Sequence, residues 1–259
     1  MAQLQDVQKF IDASRCVNSP HELEQLLIDA TREMGFDYFA LVHHVDLTPI
    51  NSRLTHMVDG TLIALTNYPP GWVEAYVARN IVANDPIHLA SHRTNVGFRW
   101  DEVPSLIHVT SAHRAITADS RKAGLEEGYT VPANVPGEAN GSCSFAMRAG
   151  RPLPQQNLPM AQIIGSFAFQ AARTLVTKGK DMPPFSDRAR LSQRQLECIL
   201  LVARGKSDWE ISRILGISEE TVKTHLRQAR ELYDVPKRIQ AVLRAVYDGQ
   251  IALSDIFRR

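Results

Sequence analysis

The chain has 259 residues, of which 44% are hydrophobic and 22% are charged, a balance that excludes a disordered, collagen-like or disulfide-scaffold protein. Its length is sufficient for two ordinary globular domains. The formal net charge is only +1, but residues 186–259 hold 14 Lys and Arg against 10 Asp and Glu, whereas residues 1–185 hold 15 against 18. The positive excess therefore lies in the C-terminal part, where a nucleic-acid-binding surface would need it.

No segment has the pattern of a secretory signal or a membrane span. The first ten residues lack a cationic stretch followed by an apolar one. The most apolar long stretch, residues 160–176, is interrupted by Gln162, Gln170 and Arg173. The three cysteines are widely spaced and odd in number, which indicates neither disulfides nor a zinc site. We therefore expect a cytoplasmic protein with no membrane partner.

The N-terminal part predicts helices and strands in alternation. Ser19 as N-cap, Pro20 at the first helical position and Glu22 in a capping box begin a helix over residues 18–35, which Gly35 ends. Aromatic and β-branched runs predict strands at 37–45, 61–66 and 142–147, and apolar spacing predicts helices at 72–79, 86–93, 112–127 and 155–177. Residues 1–176 are thus expected to form an α/β sensor domain, an antiparallel sheet flanked by helices, and residues 177–187 a linker.

Residues 188–259 predict a small all-α domain of four helices. Ser192 with Gln195, and Ser207 with Glu210, form capping boxes that begin the first two helices. Residues 216–218 form a turn that contains a glycine, and Ser218 caps a third helix whose apolar positions are Val222, Leu226, Ala229 and Tyr233. Two short helices joined in this way are typical of a helix-turn-helix, whose second helix enters the major groove of DNA.

The third helix predicts a DNA-reading surface. Its outward side carries residue types that bind base edges or phosphates, namely Thr221, Lys223, Thr224, Arg227, Gln228 and Arg230. A helical bundle with a solvated charged face is the alternative, and such a face alone would not exclude it. The matched caps, the spacing and the basic surface together favour the DNA-binding interpretation.

Residues 191–235 resemble the C-terminal helix-turn-helix of the LuxR family. The resemblance is carried by Leu-Ser, Gly-Lys-Ser, Glu-Ile, Leu-Gly-Ile-Ser, Thr-Val and His in the family's order. It implies that Lys223 and Arg227 face DNA bases and that Thr221, Thr224 and Arg230 lie near the DNA backbone. Tyr233 departs from the family, which usually has Leu there.

Residues 67–100 are similar to the autoinducer-binding domain of quorum-sensing LuxR regulators, which bind N-acyl-homoserine lactones. The similarity is carried by a spaced set, followed by Gly124 and Gly128: Tyr68, Trp72, Tyr76, Asp85, Pro86 and Trp100. It implies that this set binds the ligand, together with a serine of the later strand, for which Ser144 and Ser142 are the candidates. The acyl-chain length and its substitution are left open.

The resemblance implies a role for each side chain, and the residue types are compatible with it. Asp85 would accept from the ligand's amide N–H, Trp72 would donate to the lactone carbonyl, and Tyr68 would donate to the acyl carbonyl. Tyr76 and Trp100 would form aromatic wall. The residues alone allow a second interpretation, because aromatic residues at helical spacing usually form core and an Asp-Pro pair often only begins a helix.

Other chemistries lack their sequence patterns. His88 and His92 stand four residues apart, as metal ligands can, but no third ligand is evident. Gly205-Lys206-Ser207 resembles the end of a phosphate-binding loop, but the position of the first glycine holds Leu200. There is no nucleophile elbow. We expect no enzyme activity, no metal and no cofactor other than the small-molecule ligand.

The resemblance implies a ligand-responsive transcription regulator that binds a palindromic promoter site as a homodimer, with RNA polymerase as a candidate partner. Half-sites would lie about one helical turn, roughly 10 bp, apart or a multiple of it. The helix from Gln155 and the helix over residues 238–247 are the candidate dimer surfaces. Two alternatives stay open: an orphan regulator that responds to another molecule or to none, and a scaffolding protein whose helical tail binds protein partners.

Overall fold

The structure is a computed structural model that describes residues 4–44, 57–59, 62–135, 140–177 and 190–257. The described residues divide into two compact units, one of residues up to 177 and one of residues from 190 onward. Apart from Thr177, the segment predicted as a linker lies outside the described residues. In the described part of the chain, none of the helices has the length and apolarity needed to cross a bilayer.

The N-terminal unit contains seven α-helices and six strands among its described residues. The helices are α1 (Leu4–Cys16), α2 (Pro20–Glu33), α3 (Pro70–Ala78), α4 (Pro86–Ser91), α5 (Val103–Leu106), α6 (Ser111–Lys122) and α7 (Leu158–Thr177). The strands are β1 (Tyr38–His43), β2 (Met57–Asp59), β3 (Leu62–Thr66), β4 (Phe98–Arg99), β5 (Leu125–Ala133) and β6 (Gly141–Arg148).

The strands form one sheet in the order β2-β3-β1-β6-β5-β4, with every neighbouring pair antiparallel. This confirms the predicted class, an antiparallel sheet flanked by helices. At the centre of the sheet, β6 lies between β1 and β5, with Ser144 opposite Ala40 on one side and opposite Thr130 on the other. Since side chains alternate between the faces of a strand, this register decides which residues share a face.

The two faces of the sheet differ in the size of their side chains. One face presents Phe39, Leu41 and Phe145, which are fully buried in the main core together with residues of α1, α2 and α7. The opposite face presents small side chains such as Ala40 and Ser144. Large side chains fill the space between the first face of the sheet and its helices, whereas the small side chains of the opposite face leave space for a cavity.

The local signals of the sequence have the expected effects at most helix ends. Ser19 caps α2 by accepting from the Glu22 N–H at 3.2 Å, although the Glu22 carboxylate accepts from the Asn18 N–H rather than from Ser19. Gly35 follows with a φ of +84°. The helix predicted over 112–127 is too long, because Gly124 adopts a φ of +96° and the chain then enters β5.

The C-terminal unit contains α8 (Gln193–Ala203), α9 (Asp208–Leu215), α10 (Glu219–Leu232), α11 (Arg238–Tyr247) and the short α12 (Leu253–Phe257). Both predicted capping boxes are formed, and Ser218 caps α10. Gly216 ends α9 in the left-handed region at a φ of +65°. The four predicted helices are confirmed, and the sequence analysis did not predict α12.

The helices of this unit surround one core, which α8, α10 and α11 line with small and branched apolar residues. In α10 the predicted positions Val222, Leu226 and Ala229 are buried. In α11 the apolar positions divide: Val242 is buried, but Ile239 and Leu243 are 54% and 62% exposed. The apolar pattern of α11 is therefore wider than its contact with the core.

Candidate functional site

A cavity of about 280 Å³ lies against the small-residue face of the sheet. Its walls come from β1 and β3 on one side, and from α3, α4 and α6 on the other. The six residues of the spaced set line it, and so does one of the two candidate serines: Tyr68, Trp72, Tyr76, Asp85, Pro86, Trp100 and Ser144. The structure therefore brings together residues that are up to 76 positions apart in the chain.

Asp85 has two structural partners at the cavity wall. Its Oδ1 accepts from the Ile87 N–H at 2.8 Å and caps α4, and its Oδ2 accepts from the Tyr76 hydroxyl at 2.8 Å. Burial raises the pKa of Tyr76 well above its ordinary value, and the nearby Asp85 carboxylate raises it further, so the tyrosine remains a donor. Asp85 thus caps a helix and also lines the cavity, and the two interpretations of the Asp-Pro pair are compatible.

Trp72 and Tyr68 supply hydrogen-bond donors to the same wall. Trp72 is 7% exposed and packs edge-on against Tyr76, with ring centroids 5.8 Å apart. Its indole N–H has no hydrogen-bond acceptor in the part of the chain that the structure describes. Burial is the main cause of the raised pKa of Tyr68, so its hydroxyl keeps its proton and can donate. Trp72 lines the cavity and its Nε1 is not fully enclosed, so a ligand carbonyl could accept from this N–H.

Trp100 forms a flat wall that depends on two residues the sequence analysis gave no role. Its indole N–H donates to the Thr130 hydroxyl at 2.9 Å, and that hydroxyl lies 2.8 Å from Ser144 Oγ. Gly128 lies beneath the ring, because a Cβ there would be 2.4 Å from Trp100 Cε2. The strand register places Thr130 opposite Ser144, and sequence alone did not provide this register.

The register also separates the two candidate serines. Ser144 lines the cavity, whereas Ser142 lies 2.9 Å from the Nε2 of His44 and is not among the lining residues. Three histidines meet beside Ser142. His44 stacks on His88 with ring centroids 3.7 Å apart and planes 13° from parallel, and its Nδ1 lies 3.2 Å from the Nε2 of His92.

Burial disfavours the charged form of His44 and His88. It is the main reason that the pKa of His44 is well below 6.5, and the pKa values of His88 and His92 are also lowered chiefly by burial. In His88 the Asp85 carboxylate opposes this shift without reversing it. No three His, Cys, Asp or Glu side chains of the described residues are grouped to hold a metal ion. Stacked rings such as His44 and His88 direct their nitrogens side by side rather than towards one centre.

The second candidate site is the outer surface of α10. Lys223 and Arg227 are four residues apart, so they share a helix face, and both side chains are more than half exposed. Each pairs within its own helix, Lys223 with Glu220 at 3.6 Å and Arg227 with Glu231 at 3.0 Å. Exposed pairs of this kind contribute little to stability and exchange readily for a phosphate or a base edge.

The other predicted DNA-binding residues are nearer to the body of the unit. Thr221 and Thr224 are half-buried, and the Thr221 hydroxyl lies 2.8 Å from the hydroxyl of the cap residue Ser218. Arg230 is also half-buried, and its guanidinium donates to the Pro236 carbonyl at 2.9 Å. Arg230 therefore stabilises the turn after α10, a role that the sequence analysis did not predict.

Two family models match the chain. The model described as autoinducer binding domain matches residues 19–172, and the model described as bacterial regulatory proteins, luxR family, matches residues 189–245. The cavity lies within the first match, and the α9–α10 pair lies within the second.

Several curated proteins are similar over most of their length. The chain is 28% identical to the transcriptional activator protein VanR of Vibrio anguillarum over 94% of this chain and 96% of that protein. It is 32% identical to the HTH-type quorum sensing-dependent transcriptional regulator RpaR of Rhodopseudomonas palustris over 74% and 76%. It is 25% identical to the transcriptional activator protein LuxR of Aliivibrio fischeri over 95% and 94%. All three are transcription regulators rather than enzymes.

Solved structures share the fold. A crystal structure of Escherichia coli SdiA has a TM-score of 0.62 at 23% identity and covers 94% of this chain and 96% of its own. A structure of SdiA in complex with octanoyl-rac-glycerol has a TM-score of 0.63 at 21% identity and covers both chains fully.

Proposed function

Because this chain belongs to the LuxR family of autoinducer-binding transcription regulators, we propose that it binds an N-acyl-homoserine lactone in the cavity and a palindromic promoter site as a homodimer. The observation that carries the proposal is the meeting, at one cavity wall, of the Asp85 carboxylate and the Trp72 indole N–H, which has no acceptor among the described residues. Since promoter DNA lies in the bacterial cytoplasm, we place the protein there.

The polar atoms of a lactone ligand match the groups of the wall. The amide N–H donates to Asp85, the lactone carbonyl accepts from the Trp72 indole, and the acyl carbonyl accepts from the Tyr68 hydroxyl. The acyl chain then lies along the sheet face, where Ala40 and Ala64 leave space. A polar atom of the ligand that enters the cavity without such a partner would cost roughly 1–3 kcal/mol, so these three hydrogen bonds favour this pose.

The orphan alternative differs in the head group that the cavity accepts. SdiA is described in complex with octanoyl-rac-glycerol, an ester that has no amide N–H. Its two glycerol hydroxyls could donate to the Asp85 carboxylate, but its single ester carbonyl could accept from only one of the two aromatic donors, whereas a lactone has a carbonyl for each. We favour the lactone because it supplies one donor for the carboxylate and carbonyl acceptors for the two aromatic donors.

The proposal of a dimer rests on the exposed face of α11. Ile239, Leu243 and Tyr247 recur at four-residue spacing and are about half exposed or more. Such a stripe on a helix is typical of a surface that a second helix covers. A second copy of α11 would bring two α10 helices to equivalent positions on a two-fold axis, as a palindromic site requires. The predicted surface at residues 155–177 remains a second candidate.

The test compares thermal unfolding of the full chain alone, with acyl-homoserine lactones of several chain lengths, and with octanoylglycerol. Ligand at 100 times its dissociation constant adds about 2.7 kcal/mol of stability. Trp72→Phe keeps the ring packing but removes the donor, so it should weaken lactone affinity roughly 5- to 100-fold while changing the stability of the free protein by less. A lack of any shift with every lactone would contradict the ligand assignment.

A further inference from the structure

His88 is a buried polar group in the cavity wall. It lines the cavity and is 8% exposed, and it lies on α4 three residues beyond Asp85. Its Nε2 is 3.7 Å from Asp85 Oδ2, too far for a hydrogen bond but close enough that one small ligand could contact both. The proposed lactone pose uses Asp85 and makes no use of His88.

The hydrogen-bonding capacity of His88 is only half used. A neutral imidazole has one N–H donor and one bare nitrogen acceptor. The only side-chain group of the described residues within hydrogen-bonding distance of either nitrogen is the Tyr76 hydroxyl, at 3.2 Å from Nδ1 and 3.5 Å from Nε2. The single Tyr76 proton is donated to the Asp85 carboxylate at 2.8 Å, the shorter and charge-assisted bond. The Tyr76 oxygen can therefore accept from His88, and no side chain of the described residues is left to donate to His88.

The imidazole of His88 is also held in a fixed orientation. His44 stacks on it, and His44 is itself positioned by Ser142 at 2.9 Å and by His92 at 3.2 Å. The ring cannot turn its bare nitrogen towards water without breaking this stack. A fixed, buried acceptor without a donor is a group that a ligand donor would satisfy.

From this geometry, and resting on the lactone-binding function proposed above, we propose that the ligand's acyl chain carries a hydroxyl close to the amide. His88 accepts its hydrogen bond and is thereby the specificity-determining residue for the substituted chain. A hydroxyl on the β-carbon is near enough to the amide nitrogen for the two donors to reach acceptors 3.7 Å apart. A β-keto oxygen lies at a similar position but can only accept, so it leaves the bare nitrogen unsatisfied.

The experiment measures the affinity of the full chain for three homoserine lactones of one chain length: β-hydroxyacyl, β-oxoacyl and unsubstituted acyl. We expect the β-hydroxyacyl lactone to bind roughly 5- to 10-fold more tightly than the other two. In His88→Phe, which keeps a planar ring against His44, this preference should fall to within about 2-fold. In the control His108→Phe, which changes an exposed histidine outside the cavity lining and outside the His44–His88 stack, the preference should persist.

Equal affinities in the wild type, a preference for the β-oxoacyl lactone, or a preference that survives His88→Phe would each overturn the inference. Those outcomes leave lactone binding itself intact, whereas no binding of any of the three lactones would overturn the proposed function and the inference together. If His88→Phe fails to fold, the order of the three wild-type affinities still tests the hydroxyl, and His88→Leu replaces it as the variant without a ring nitrogen.

Discussion

Gly128→Ala tests whether the flat position of Trp100 depends on the missing side chain beneath it. The new Cβ would lie 2.4, 2.6 and 2.7 Å from three atoms of the Trp100 indole, whereas ordinary contacts are 3.4–4 Å. The ring must therefore withdraw by roughly 1 Å, because β5 and its neighbours hold the backbone in the sheet. Overpacking of this kind costs roughly 1–3 kcal/mol.

The displacement should also break a hydrogen bond. The Trp100 indole donates to Thr130 at 2.9 Å, and a shift of that size removes this bond at a cost of roughly 0.5–1.5 kcal/mol. The two effects together lower the free energy of unfolding of the N-terminal unit by roughly 1.5–4.5 kcal/mol. Domains of this size are stable by roughly 5–15 kcal/mol, so the loss is measurable without abolishing the fold.

The assay is urea unfolding of the full chain followed by tryptophan fluorescence in a Trp209→Phe background. The chain has three tryptophans, so the remaining signal comes only from Trp72 and Trp100. Gly71→Ala is the matched control, because its Cβ meets nothing within 4 Å, and it should cost little or stabilise slightly. In a Trp100→Phe background the smaller ring should reduce the cost of Gly128→Ala to less than about 1 kcal/mol. The same cost in both backgrounds would refute the explanation.

Two buried histidines predict a pH effect: because the pKa values of His44 and His88 are lowered on folding, the unfolded chain binds more protons than the folded chain below pH 6.5. The free energy of unfolding should be largest above pH 6.5 and should fall as the pH is lowered, by up to about 1.4 kcal/mol per pH unit for each histidine that remains neutral in the folded protein. Urea unfolding at several pH values measures this slope. His88→Phe should reduce the slope, and the same slope in the variant and the wild type would contradict the prediction. Ser218→Ala removes the N-cap of α10 and should cost about 1 kcal/mol, measured by thermal unfolding against the exposed control Ser254→Ala. Arg227→Ala should lower the affinity for the specific DNA site and reduce the preference for that site over unrelated DNA in a gel-shift titration, with the affinity for lactone unchanged. Wild-type selectivity in this variant would contradict base reading by Arg227.

Local chemistry made the helix ends predictable. The caps at Ser192, Ser207 and Ser218 each depend on residues within one helical turn, and each forms as the sequence indicated. The error lay at residues 123–127, where a helical pattern runs into β5. Gly124, with its positive φ, ends the helix there, and the following residues pair with β6 instead.

Contacts across the sheet could not be predicted from the chain alone. Thr130 bonds both Trp100 and Ser144 because of the register of β5 and β6, and Ser144 lies in the cavity wall while Ser142 does not. A shift of two residues in this register would move Ser142 to the position of Ser144, and a shift of one residue would turn both serines to the opposite face. Likewise, the sequence shows His88 and His92 four apart, but only the fold brings His44, more than 40 residues away, onto them.

The double use of Asp85 limits how this protein can diversify. One carboxylate oxygen begins α4 and the other holds Tyr76, so any substitution that retunes the head-group contact also loosens the helix that carries Pro86 and His88. Ala40 and Ala64 make no such structural hydrogen bond through their side chains, and a larger side chain at either position would only reduce the cavity volume beside the strands. For protein engineering, and for natural selection among paralogues, substitutions that change ligand specificity should therefore be tolerated better at Ala40 and Ala64 on the sheet face than at Asp85.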